Sequence, residues 1–142
     1  MLGAQGGEKG SREIDAGGWR VTSITITLPL PARKLSPNAR VHWAEKAKLT
    51  RAARKAAHLA ALEALNLRRP PGWLKARLEV KAFFKTLNFP DPTNFPLSLK
   101  AAIDGIADAG IIANDKGLWP ERPTFEKDAE NPRVEIIITS EP

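Results

Sequence analysis

The sequence predicts a small single-domain α+β fold, a mixed β-sheet with helices packed on it, and three observations predict it. Short stretches alternate apolar and polar residues with the period of a half-buried strand. Two longer stretches repeat apolar residues at three- and four-residue steps, the spacing of one helix face. The order along the chain is strand, helix, strand, helix, strand, and 142 residues suffice for one core of its own.

Residues 1–18 hold six of the ten glycines and few apolar side chains, so they are expected to form a flexible tail ahead of a domain at 19–142. Ile24, Ile26 and Leu28 alternate with Thr25 and Thr27 as a first strand, ended by Pro29 and Pro31. After the Ser36-Pro37-Asn38 turn, residues 43–66 read as a long helix of Ala, Leu, Lys and Arg. Its expected apolar stripe is Leu49, Ala52, Ala53, Ala56, Leu59 and Ala60. Lys48, Arg51, Lys55 and His58 lie opposite, with Arg54 alongside, as a cationic ridge.

Arg68-Arg69-Pro70-Pro71-Gly72 breaks that helix, and Leu78, Val80, Ala82 and Phe84 mark a second strand. Residues 97–109 form a second helix with the stripe Leu99, Ala102, Ile103 and Ile106, closed by Gly110. A short Ile111-Ile112 segment follows, then a proline-rich loop at 119–132, then a last strand through Val134, Ile136 and Ile138.

Twenty-two Lys and Arg against 16 Asp and Glu leave a net charge of +6, which suits a polyanionic partner. The absence of cysteine excludes disulfides, thiolate zinc sites and cysteine nucleophiles, and permits a reducing cytoplasm. No apolar run reaches the roughly 20 residues that cross a bilayer, and the N-terminus lacks a secretory pattern, so no membrane partner is expected. His42 and His58 have no acidic companion at ligand spacing and read as surface or core histidines.

Hydrolysing a phosphodiester calls for an activated water and for positive charge beside the phosphate, which carboxylate-held magnesium provides. Asp91 stands where the second strand empties into the loop Asp91-Pro92-Thr93-Asn94, and Asp115 lies in the turn Ala113-Asn114-Asp115-Lys116-Gly117. Between them, Lys100 and Asp104 are four residues apart on one face of the second helix, away from its apolar stripe, and Asp108 continues that face. A lysine so placed would counter charge on the phosphate or the leaving oxygen. Taken singly, each aspartate is also ordinary turn chemistry, and the cationic ridge an ordinary solvated helix face.

The order of these residues adds what none supplies alone. The 25-residue run from Asp91-Pro92-Thr93-Asn94-Phe95-Pro96 through Lys100-Ala101-Ala102-Ile103-Asp104-Gly105 to Ala113-Asn114-Asp115 resembles the core motif of RusA-like Holliday junction resolvases. The resemblance extends more loosely to the opening strand, the basic helix and the closing strand. It implies that Asp91 and Asp115 bind metal, that Lys100 is required for cleavage, and that Asn94 orients a carboxylate or a water. Asp104 would be a further ligand of lower rank. It also implies a homodimer in the bacterial cytoplasm, phage-encoded in some branches, that cuts four-way DNA junctions with Mg2+ or Mn2+. Lys48, Arg51, Arg54, Lys55 and Arg40 would then contact DNA phosphates. Thr93 and Asn114 stand where the motif often has aspartates, so the site is poorer in charge. A junction-binding protein that no longer cleaves is therefore the alternative, and a basic domain without a nucleic-acid role the third.

Overall fold

The computed structural model describes residues 12–15 and 18–142, with side chains from Thr22 onward. Of the expected tail, residues 1–11, 16 and 17 lie outside the described residues. The rest is paired: β1 (Arg12–Asp15) and β2 (Gly18–Val21) form an antiparallel hairpin, with Ile14 opposite Trp19. The glycine-rich composition hid a strand pairing only four residues long on each side.

The main sheet contains β3 (Ser23–Leu28), β4 (Ala76–Phe84), β5 (Leu118–Pro120), β6 (Thr124–Lys127) and β7 (Arg133–Ser140). β7 lies in the middle, antiparallel to β3 on one side and to β4 on the other. Along the far edge of β4 run β5 and then β6, both parallel to it, so the sheet is mixed. These two edge strands occupy part of the expected loop. They are too short, and too interrupted by Pro120 and Pro123, to display an alternation of their own.

The register aligns one apolar face: Ile24, Ile138 and Leu78 stand abreast, as do Ile26, Ile136 and Val80, and Leu28, Val134 and Ala82. All nine are buried. Each Ile, Leu or Val so buried contributes about 1.5–3 kcal/mol. The opposite face carries Thr25, Thr27, Arg77, Glu79, Lys81 and Glu135, none of them buried.

Helices α1 (Trp43–Leu65) and α2 (Lys100–Asp108) cover the apolar face. The His42 imidazole Nδ1 accepts the N–H of Ala44 and caps α1, and Asn66 closes it in the left-handed conformation at φ 51°. The buried residues of α1 are Ala57, Ala61, Ala64 and Leu65, whereas Ala52 and Ala56 are exposed and Leu59 is 55% exposed. The predicted stripe is thus rotated from the true core face. The cause is the crossing with α2, where a Cβ on Gly105 would overlap the Arg54 carbonyl oxygen. Backbones this close tolerate only small side chains, so Ala57 and Ala61 face inward beside the crossing and Leu59 and Leu62 are left outside.

In α2 the predicted stripe holds for Leu99, Ala102 and Ile106, with Ile103 half-buried and Ala101 and Gly105 added. Its first predicted turn is instead a 3-10 segment, Phe95–Leu99, entered at Pro96. Gly110 follows the helix at φ +86°, as a closing glycine should. Ile111 and Ile112 are fully buried, and Ile112 bridges to Trp73 ahead of β4.

Candidate active site

Two corners of the molecule carry the predicted site residues. The first is the α2 face with the turn beyond it. Because Lys100 and Asp104 sit one helical turn apart, the Lys100 Nζ donates to Asp104 Oδ1 at 2.7 Å. The same ammonium lies 3.5 Å from Asp115 Oδ2, across from a separate element.

Asp115 opens a 3-10 turn, Asp115–Gly117, whose N-cap is Asn114. The Asn114 side-chain oxygen accepts the Lys116 N–H at 2.9 Å, which occupies Asn114 in shaping the turn. A Cβ on Gly117 would overlap the Leu74 carbonyl oxygen, so the turn is seated directly on the segment leading into β4. That seat fixes where Asp115 points.

The hydrogen bond that Lys100 donates to Asp104, with further attraction from Asp104 and Asp115, outweighs partial burial and raises the Lys100 pKa. Lys100 therefore stays an ammonium at neutral pH. Its side chain is 64% exposed, while that of Asp104 is 26% exposed, so the carboxylate is anchored and the amine is reachable.

Beside this group, Arg54 of α1 reaches across the helix crossing to Asp108 of α2 with two hydrogen bonds, 2.6 and 2.8 Å. The pair raises the Arg54 pKa and lowers that of Asp108, in both cases chiefly through the hydrogen bond. Arg54, Asp104, Asp108, Asn114 and Asp115 line one open depression of about 340 Å3. Arg54, expected to contact phosphates freely, is thus committed to a carboxylate. Lys48, Arg51, Lys55 and Arg40 are exposed and have no acidic partner among the described residues.

The second corner is the loop after β4. Asp91 Oδ1 accepts the Thr93 N–H at 2.7 Å, and the Asp91 carbonyl accepts the N–H groups of Asn94 and Phe95. Asn94 is half-buried and begins the 3-10 segment. The loop is held by rings: Phe89 and Phe95, on either side of Asp91, pack with Phe84 and Phe125 at centroid separations of 5.4–5.7 Å. This aromatic cluster was not legible as a unit, since its members are up to 41 residues apart (Phe84 to Phe125).

The structure brings Lys100, Asp104 and Asp115 together, with Arg54, Asp108 and Asn114 around them. No hydrogen bond or ion pair among the described residues joins Asp91 or Asn94 to them. Among the described residues no three acidic or histidine side chains gather within reach of one metal ion. Two carboxylates from separate elements nonetheless form an oxygen donor pair suited to a hard cation that keeps most of its waters. His42 serves as a helix cap stacked on Trp43, and His58 lies near Asp108.

Over 123 residues the chain is 32% identical to an uncharacterized protein of Xylella fastidiosa strain Temecula1, a match covering 81% of this chain and 74% of that protein. The chain belongs to the family of that protein. No protein-family profile matches the sequence. The match to the Xylella protein is too long to rest on the 25-residue motif alone, so the relationship concerns the domain rather than one loop. No helix among the described residues is long and apolar enough to cross a membrane.

Proposed function

We propose that the chain is a metal-dependent, structure-selective DNA endonuclease of the RusA-like kind, resolving four-way junctions as a cytoplasmic homodimer. One observation carries this reading: the Lys100 ammonium pairs with carboxylates of two separate elements, Asp104 and Asp115, and those two carboxylates line a depression that the basic helix α1 borders through Arg54. The resemblance of residues 91–115 to the resolvase motif supports it.

In this reading Asp104 and Asp115 would hold a magnesium or manganese ion, with Asp91 and Asn94 of the loop after β4 as the further donors that the motif resemblance implies. Such an ion neutralises charge on the phosphate and acidifies water at neutral pH. Lys100, kept protonated by its carboxylate neighbours, counters the charge that develops on the phosphate or leaving oxygen. Lys48, Arg51, Lys55 and Arg40 bind backbone phosphates without reading sequence, as a junction binder requires. A two-fold dimer matches the near-symmetric substrate.

The test is cleavage of a synthetic four-way junction in magnesium. Wild-type protein is expected to cut it, and Asp91→Asn, Asp115→Asn and Lys100→Ala to lose about 10²–10³-fold in rate, the effect of removing one transition-state stabiliser. An Asp115→Asn protein that cuts like wild type overturns the reading.

The finding that Asp91 does not join Asp104 and Asp115 favours a second reading, a junction-binding protein without cleavage. Silence of the wild type together with nicking by Thr93→Asp would select it.

A further inference from the structure

The same ammonium that marks the site also occupies it. Lys100 Nζ lies 2.7 Å from one carboxylate and 3.5 Å from the other, the space a small cation would take between Asp104 and Asp115. We infer that Lys100 is the resident cation of this pair, compensating the charge of the two aspartates until a divalent ion takes its place. The inference rests on the nuclease reading and deepens it: metal loading and release of the catalytic lysine become one event.

Three features make the exchange feasible. Asp104 is the more buried partner and stays put, while the lysine is 64% exposed and swings on a four-carbon stem. Asp115 is fixed independently by its seat on Leu74, so removing the ammonium does not release the carboxylate. Lys100 is the first residue of α2 and lies outside the buried core, so moving its side chain unpacks nothing. Once displaced, the ammonium is free to meet the anion that arrives next to the metal, a phosphate oxygen. The metal-free protein thereby keeps two like charges compensated, and the loaded protein has a cation to spare for substrate.

The experiment measures Mn2+ binding alone, without DNA, by the loss of the free-ion paramagnetic resonance signal at constant ionic strength. Lys100→Met removes the competitor and should tighten Mn2+ binding about five- to tenfold, the scale of one unit charge removed at contact distance in water. Lys100→Arg keeps a competing charge and should bind within about twofold of wild type on the same scale. Adding Asp115→Asn to Lys100→Met should abolish the gain. Equal affinity in wild type, Lys100→Met and Lys100→Arg, still dependent on Asp115, overturns the exchange and leaves the nuclease reading intact. Failure of every variant to bind Mn2+ in an Asp104- and Asp115-dependent way overturns both. Lys100 is exposed, so equal thermal melting of the three proteins is expected and guards against a folding artefact.

Discussion

The α2 corner and the Asp91 loop both present carboxylates, yet different forces hold them. In the α2 corner the carboxylates are engaged by charge: Lys100 with Asp104 and Asp115, and Arg54 with Asp108, link α1, α2 and the following turn through ion pairs. In the Asp91 loop, position is set by apolar packing, with Phe84, Phe89, Phe95 and Phe125 fixing both sides of the aspartate. The first arrangement answers to salt and pH. The second is indifferent to both, because ring packing carries no net charge. A site assembled from both would combine a rigid arm with one that responds to its ligand.

The largest expected effect breaks the rigid arm. Phe125→Ala removes a ring that touches Phe84, Phe89 and Phe95 at once, so it should cost about 2–3 kcal/mol, less than a fully buried ring because Phe125 is only half-buried. Urea unfolding measures the loss, and amide exchange at residues 91–95 should quicken more than exchange in α2. Equal quickening in both regions would mean that the rings support the whole domain rather than the loop. A somewhat smaller cost is expected at the helix crossing. There Gly105→Ala must push α1 from α2 to clear the Arg54 carbonyl, at about 1–3 kcal/mol, and an unchanged unfolding midpoint would contradict the close approach.

The contrast between the corners also explains what the sequence disclosed. Strand alternation at Ile24, Ile26 and Leu28, and again at Val134, Ile136 and Ile138, is local information, so those elements and the α+β class were legible. The Lys100 and Asp104 pair was legible for the same reason, since helical spacing alone makes them neighbours. Their meeting with Asp115 follows from how Gly117 seats its turn on Leu74, a contact between residues 43 apart that no local pattern encodes. The core face of α1 is rotated from the expected stripe because alanine occurs on nearly every side of this helix and marks no face, whereas the close crossing at Gly105 selects Ala57 and Ala61. Arg54 was read as a free cation because its partner, Asp108, lies 54 residues away. β5 and β6 are edge strands defined by pairing with β4, not by a pattern of their own.

The smallest effect tests whether the α2 corner answers to protonation. Asp108 has its pKa lowered by Arg54, so the pair's contribution is present above the ordinary aspartate range and is lost as pH falls through the folded-state value. Arg54 remains charged throughout, so Asp108 alone sets the window, below about pH 3.9. The stability gap between wild type and Asp108→Asn, read from urea midpoints, should therefore be constant near neutrality and close on acidification. Because both partners are exposed, added salt should narrow the same gap at pH 7. A gap that ignores both pH and salt would mean that Asp108 acts through packing at the helix crossing, and the distinction between a charge-held and a ring-held corner would fail at that point.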